Sequence, residues 1–169
     1  MHPRDDPHLT WQHRTQLLQS VAFSAGTGKT HLLIGLGLAA CEQGRRVRYV
    51  TTAALDGELV EAADQRALSR VAGRYGRLDL LLPGKLGYVQ VDPRGAELLF
   101  QIITERDERA SIAIGTNLPF SEWGTVFPDP RLVAAIVDRV TFNAHILETG
   151  TQSYRLRTST TTSRSRKPS

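Results

Sequence analysis

The segment Val21-Ala22-Phe23-Ser24-Ala25-Gly26-Thr27-Gly28-Lys29-Thr30-His31 constrains this chain more than any other stretch. A short apolar run enters a glycine-rich turn, and a longer apolar run leaves it. The turn holds most of a phosphate-binding P-loop, whose pattern is Gly, four residues, then Gly-Lys-Ser/Thr. Gly28, Lys29 and Thr30 fit the end of that pattern, while Phe23 stands where its first glycine belongs. Backbone N–H groups in such a turn converge on a phosphate because no Cβ blocks the approach. The helix that follows adds its N-terminal partial positive charge. In this reading Gly26, Thr27 and Gly28 form the open turn. Lys29 reaches the β- and γ-phosphates of a nucleotide triphosphate, and the Thr30 hydroxyl holds Mg²⁺. Phe23 does not readily take a positive φ, so the entrance to the loop must differ from the usual one. Losing one charge-assisted phosphate contact costs roughly 1.5–3 kcal/mol, or about 10- to 150-fold in affinity. Weakened binding is expected rather than none. The alternative is a glycine turn before an ordinary helix.

Length and charge narrow the rest. The 169 residues suffice for one domain with a real core, and 40% apolar content is that of a globular chain. Lys and Arg number 21 against 17 Asp and Glu, a net charge of +4. Five of the basic residues (Arg155, Arg157, Arg164, Arg166 and Lys167) follow the last acid, Glu148, which leaves 16 against 17 elsewhere. The basicity therefore belongs to the tail. The single Cys41 cannot form an internal disulfide and is expected to be a small core residue in a reducing compartment. The first residues do not read as a signal peptide, and no apolar run approaches the ~20 residues of a membrane span. A cytoplasmic protein with no membrane partner is expected.

Along the chain, residues 9–18 read as a short helix with Trp11, Leu17 and Leu18 as apolar contacts. Val21 to Phe23 read as a strand feeding the loop. The apolar run after Lys29 reads as a buried helix ending near Gly44, a natural stop. Val47 to Val50 predict a strand, and about Leu55 to Ala72 a helix with Leu55, Leu59, Ala62, Ala63 and Leu68 on its core face. Leu78 to Leu82 predict a short buried strand. Asp92-Pro93 and Asp129-Pro130 each open a helix, Asp as N-cap and Pro as first helical residue. Leu99, Ile102 and Ile103 line the first of these; Leu132, Val133, Ile136, Val137 and Val140 line the second. Ser111 to Thr116 predict a strand between them, with Ala144 to Leu147 and Tyr154 to Leu156 as a closing pair. The tail after Arg157 is expected to be disordered. The division is therefore 1–19 as an N-terminal segment, 20–157 as one nucleotide-binding domain, and 158–169 as a basic tail.

Strands alternating with helices imply βαβ units and an α/β fold, a parallel sheet with helices on both faces. Ligands in such sheets bind at the carboxyl ends of the strands. The P-loop, Pro83-Gly84-Lys85 and Asn117 all fall at such ends.

The chain resembles the IstB-like ATP-binding proteins over about residues 25–157. The resemblance lies in Gly26-Thr-Gly-Lys-Thr-His31, in Leu86-Gly87-Tyr88, and above all in Thr116-Asn117-Leu118-Pro119-Phe120-Ser121-Glu122-Trp123-Gly124. Asp138-Arg139 and Ser153-Tyr154-Arg155-Leu156-Arg157 also match. These are AAA+ ATPases that assist the transposase of bacterial insertion sequences, relatives of the DnaC helicase loaders. The resemblance implies a P-loop NTPase (AAA+-like) fold, ATP and Mg²⁺ as cofactors, and DNA and a transposase as partners. It makes Lys29 and Thr30 the Walker A lysine and metal-binding hydroxyl. It makes Asn117 a sensor that orients the attacking water. It places an arginine finger at Arg139, which would reach the nucleotide of a neighbouring subunit in a homo-oligomer and neutralise transition-state charge. The plainer role for Arg139 is a helix-surface arginine pairing with Asp138 or solvent.

The departures matter as much. The family's second signature is an apolar strand ending in Asp-Glu before Leu-Gly-Tyr; here Gly84 and Lys85 hold those positions. The aspartate would help hold Mg²⁺ and the glutamate would activate water, and neither chemistry survives as glycine and lysine. Pro83 removes a ladder N–H and argues against the strand running to its usual end. Asp79 lies roughly 16 Å of strand before the site. The family's usual N-terminal extension is not seen either. These changes have the look of an eroded copy, and a reading-frame error near 19–25 and 83–85 would look the same. The expected function is an ATP-binding transposition helper with hydrolysis weak or lost. The alternatives are a helicase-loader-like protein and a non-catalytic DNA- or protein-binding module acting through the basic tail.

Overall fold

The computed structural model describes residues 20–22, 28–106, 109–142 and 144–149, the first three by their backbone alone. Strand β1 (Ser20–Ala22) is followed by helix α1 (Lys29–Glu42), strand β2 (Val47–Thr51), helices α2 (Thr52–Asp64) and α3 (Leu68–Gly76), and strand β3 (Leu80–Gly84). Helix α4 (Pro93–Arg106) leads to strands β4 (Ser111–Ile112) and β5 (Ile114–Gly115). A 3₁₀ helix (Phe120–Thr125), helix α5 (Pro130–Thr141) and strand β6 (His145–Ile146) complete the order. The helix expected at 9–18, the strand at 154–156 and the basic tail lie outside the described residues.

The strands form two parallel ladders, β2-β3-β4 and β5-β1-β6. Only Ala113 separates β4 from β5, so the two ladders are one sheet in the order β2-β3-(β4,β5)-β1-β6. Alternate residues of this sheet face opposite layers. Leu80, Leu82 and Ala113 pack with Leu33 of α1 on one face. Leu81, Ile112 and Ile114 join the larger core beneath α2, α3, α4 and α5 on the other. This is the α/β architecture with helices on both faces that the alternation predicts.

Proline in the middle of β3 is compatible with this sheet for a specific reason. All of Leu80–Gly84 is buried and the β2 ladder runs its full length, from Val47 opposite Leu80 to Thr51 opposite Gly84. In a parallel strand successive residues direct their backbone groups to opposite neighbours. The Leu81 carbonyl accepts from Ala113 on the β4 side, so Pro83, two residues on, faces the same way. The missing N–H therefore falls on the β4 side alone. There the ladder stops at Leu81, and the gap at Ala113 splits β4 from β5. Pairing resumes at Leu86 with Thr116. The expectation that Pro83 would end the strand is corrected: it interrupts one edge of it.

A helix end explains a further difference. The helix expected from Leu55 to Ala72 is two helices. Arg66 takes a left-handed φ of 54° between them. The Ala67 N–H bonds back to the Ala62 carbonyl at 2.7 Å and the Arg66 N–H to the Ala63 carbonyl at 3.2 Å, a Schellman turn closed by an arginine. The same turn ends α1 with the expected glycine, Gly44 at φ 74°. A glycine at 66 would have announced the break; an arginine does not.

Helix α1 is less covered than its apolar sequence suggests. Leu33 and Gly37 are buried against the sheet, but Leu32, Ile34 and Leu38 are exposed, and so is Cys41. Cys41 is therefore not a core residue. One stripe of α1 meets the sheet, and no other described helix lies on that face to cover the rest.

On the opposite face, α2 and α4 approach closely at Gly95. A methyl group there would run into the Asp56 carboxylate and meet the Val60 side chain at 3.3 Å. Asp56 is not free to swing away, because its Oδ2 accepts the Asp92 N–H at 3.1 Å. Gly95→Ala is expected to cost about 1–3 kcal/mol through overpacking, measured by urea unfolding. Unchanged stability would mean that α2 and α4 can separate.

Candidate functional site

Three strand ends and one helix start meet at the carboxyl edge of the sheet. Helix α1 begins at Lys29 and Thr30, directly after Gly28. Gly28 has φ 87°, a left-handed conformation that a residue with Cβ adopts at a cost. The Gly28 carbonyl accepts the Leu32 N–H at 3.0 Å, which starts the helical hydrogen bonds. Lys29 and Thr30 are half-buried, and burial lowers the Lys29 ammonium from its ordinary value. Gly26 and Thr27 lie outside the described residues, as does Phe23.

Beyond β3 the chain turns at Lys85, exposed with φ 59°, and at Gly87 with φ 98°. Between them Leu86 is buried and binds the next strand end. Its N–H donates to the Gly115 carbonyl, and its carbonyl accepts from the Asn117 N–H at 3.3 Å and the Thr116 hydroxyl at 3.1 Å. Gly87 is glycine for two reasons. Its φ is left-handed, and a Cβ would collide with Asn117 Oδ1 and with the Leu118 side chain. Asn117 is thereby held beside the β3 turn. Its Oδ1 is buried and has no hydrogen-bond partner among the described residues.

The two positions that carry acids in the family signature hold no acid. Lys85 points to solvent. Gly84 is buried, and its carbonyl accepts the buried Thr52 hydroxyl at 3.1 Å. A Cβ on Gly84 would lie 2.6 Å from the Tyr49 hydroxyl and 2.8 and 2.9 Å from two carbons of its ring. Beside it, a Cβ on Gly115 would meet Leu33 at 2.6 Å. Tyr49 and Leu33 thus fill the room that side chains on β3 and β5 would need. Sequence reasoning missed both pairs. Their signal is reciprocal size: a glycine inside a buried strand opposite a large residue on the neighbouring element.

Arg139 lies elsewhere. It is on α5, which packs on α4 and on the 3₁₀ helix, across the sheet from α1. Its guanidinium stands 5.4 Å over the Phe100 ring. The structure therefore brings Lys29, Thr30, Gly84, Lys85 and Asn117 to one edge and leaves Arg139 outside that group. Asp79 is likewise remote: it sits at the opposite end of β3, where Arg46 grips it through its backbone N–H, Nε and one terminal nitrogen. That contact holds the Asp79 carboxyl below the usual range.

Known structures share this layout. DnaA from Aquifex aeolicus bound to AMPPCP superposes with a TM-score of 0.69 at 22% identity, over 84% of this chain and 43% of that one. The DnaC helicase loader superposes with a TM-score of 0.66 at 19% identity, over 89% and 94%. At such identities the likeness establishes the fold, that of an AAA+-like P-loop NTPase. In sequence, an insertion-sequence ATP-binding protein of Sinorhizobium fredii is 41% identical over 132 residues, 78% of this chain and 44% of the relative. The ATP-binding protein of insertion sequence IS232 from Bacillus thuringiensis is 35% identical over 133 residues, 79% of this chain and 53% of the relative. The chain thus spans about half the length of these relatives. The family model for the IstB-like ATP binding protein matches residues 9–162. That match runs through the glycine start of α1, the altered β3 turn and the Asn117–Trp123 string, and this chain belongs to the IstB-like ATP-binding protein family.

Proposed function

We propose that the chain binds ATP at the carboxyl edge of its sheet, with hydrolysis weak or lost, and acts beside a transposase on DNA. The observation that carries the reading is the left-handed Gly28 that starts α1 at Lys29-Thr30. It leaves the first N–H groups of α1, a lysine and a hydroxyl at one strand end, the arrangement that receives a phosphate. Asn117 supports it. A buried amide oxygen without a partner among the described residues is costly, and water or a ligand group entering the site would relieve it. Weak hydrolysis follows from Gly84 and Lys85, since neither can activate water.

Magnesium is a separate matter. It would arrive with the nucleotide, and Thr30 is the protein oxygen that the motif offers it. The carboxylate that would accompany Thr30 is missing, and Tyr49 fills its position. The residues present do not make a Mg²⁺ site of their own. Asn117 would orient what water reaches the γ-phosphate. Arg139 would serve a neighbouring subunit's nucleotide in a homo-oligomer, leaving Phe100 to do so. DNA and a transposase come to this chain through the insertion-sequence proteins that it resembles.

The test is a thermal-shift titration with ATP beside Lys29→Ala. Ligand at about 100 times its dissociation constant adds ~2.7 kcal/mol to stability. The parent is expected to shift and the variant not to. A well-folded parent that does not shift overturns the reading. DNA binding that needs ATP supports the helper role; binding indifferent to ATP and abolished by removing residues 158–169 supports a tail-driven module instead.

A further inference from the structure

We infer that Tyr49 has taken over the position of the lost acid, so that this site holds a nucleotide without depending on a divalent cation. The inference rests on the nucleotide reading above and concerns the same site. Position 84 faces the α1 side of the sheet, as Leu80 and Leu82 do in the same strand. Thr30, the hydroxyl meant for the metal, starts the helix on that side. An aspartate at 84 would point its carboxylate there. In this chain a Cβ at 84 would lie 2.6 Å from the Tyr49 hydroxyl, closer than real Cβ atoms come to any neighbour. Tyr49 comes from the adjacent strand, in register with Leu82, and packs on the cluster of Leu33, Leu80, Leu82 and Ala113.

The exchange is one of chemistry as well as volume. A carboxylate is an anion beside the phosphates and is tolerable there because a cation lies between them. A phenol is neutral at physiological pH and carries an O–H donor. It therefore adds no negative charge for a metal to offset. Lys85, exposed in the adjoining turn, adds a positive charge where the family has a second acid. The pair of changes removes the anionic half of a metal site and leaves a strand end that tolerates phosphate charge directly. The ring also locks the change in place. Restoring the acid alone forces it into space that Tyr49 already fills.

The experiment uses the full chain and four proteins: parent, Gly84→Asp, Tyr49→Ala, and Tyr49→Ala/Gly84→Asp. Each is titrated with ATP in Mg²⁺ and in EDTA, and melted without ligand. Parent affinities are expected to agree within about twofold in the two buffers. Gly84→Asp is expected to melt roughly 5 °C lower, through overpacking, and to gain no metal dependence. The double variant is expected to recover part of that loss relative to Tyr49→Ala and to bind at least tenfold tighter in Mg²⁺ than in EDTA. A parent that loses tenfold or more in EDTA overturns the inference and leaves the nucleotide reading standing. So does a Gly84→Asp protein that melts like the parent and becomes metal-dependent. A parent that binds in neither buffer removes the nucleotide reading and this inference with it. The parent comparison decides the matter even where a variant does not fold.

Discussion

Arg106→Ala is expected to lower the stability of this domain by about 3–5 kcal/mol, a large share of the 5–15 kcal/mol typical of a domain. Arg106 ends α4 and is 1% exposed. One terminal nitrogen donates to the Tyr75 carbonyl at 2.6 Å and the Leu78 carbonyl at 3.1 Å, and the other donates to the Ser111 carbonyl at 2.8 Å. One side chain thus ties the end of α3, the approach to β3 and the start of β4 to α4. Among the described residues no carboxylate bonds to it; burial pushes the guanidinium down to about 10, against the opposing pull of the Asp79 charge. The folded value lies below the ordinary one, so burying the charge opposes folding at all pH values below 10 and the opposition eases only above it. The three carbonyls offset that cost, since hydrogen bonds to a charged donor are the strong ones. Removal leaves three buried acceptors and a cavity. Urea unfolding should show the loss, with the melting temperature about 10 °C lower. The loss should be the same from pH 6 to pH 9, because the guanidinium stays charged across that range. Arg106→Lys should recover only part of it, as an ammonium lacks the fork that reaches both the α3–β3 segment and β4. A loss below 1 kcal/mol for Arg106→Ala would show that water reaches the three carbonyls.

Trp123→Ala is expected to cost a similar 3–5 kcal/mol. Trp123 is fully buried within the 3₁₀ helix, with the Phe120 ring 5.2 Å away and the Phe127 ring at 6.1 Å. Its indole N–H donates to the Leu118 carbonyl at 3.4 Å. Leu118 is the neighbour of Asn117, and its side chain packs against Gly87. The indole therefore buries a large apolar surface and also pins the loop that presents Asn117 beside the β3 turn. Trp123→Phe should retain most of the packing and lose the hydrogen bond, a milder loss of about 1 kcal/mol. Denaturant midpoints for the two variants separate packing from hydrogen bonding. Equal losses would mean that the indole N–H carries the effect and the ring does not.

The Trp123 result bears on why the string Asn117 to Trp123 is recognisable in sequence. Its residues act together: Thr116 closes a turn onto the Leu118 N–H, Asn117 fills the space beside Gly87, and Trp123 anchors the loop from beneath. A run in which every residue has a local task leaves a dense pattern. The same holds for Asp129-Pro130, where the Asp129 carboxylate accepts the Arg131 N–H at 2.8 Å, and for Asp92, which accepts the Arg94 N–H at 2.8 Å. Caps act over three residues and are legible at that range. The strand positions were legible because each is a short apolar run between turn signals.

What escaped were pairings between distant residues. Tyr49 and Gly84 are 35 positions apart, and nothing at either position alone says that one fills the space of the other. Arg106 looks like a surface arginine ending a helix, yet three carbonyls from two other segments surround it. The Arg66 turn escaped for the opposite reason: a left-handed arginine is a local event without a local signature. Cys41 and the outward leucines of α1 were misplaced because an apolar helix was expected to be covered all round.

The sequence by itself determined the alternation of strands and helices, the glycine start of α1, the loss of both acids from the β3 signature, and the family. Each of these rests on neighbours a few residues apart, where backbone geometry and side-chain type act directly. Only the tertiary structure decided how the lost acid was accommodated, which edge of β3 Pro83 interrupts, and which polar groups are buried. Those outcomes depend on which side of a parallel strand a residue faces and on what the adjoining strand places there. Register across the sheet sets both, and register arises from the packing of the whole domain rather than from any one segment.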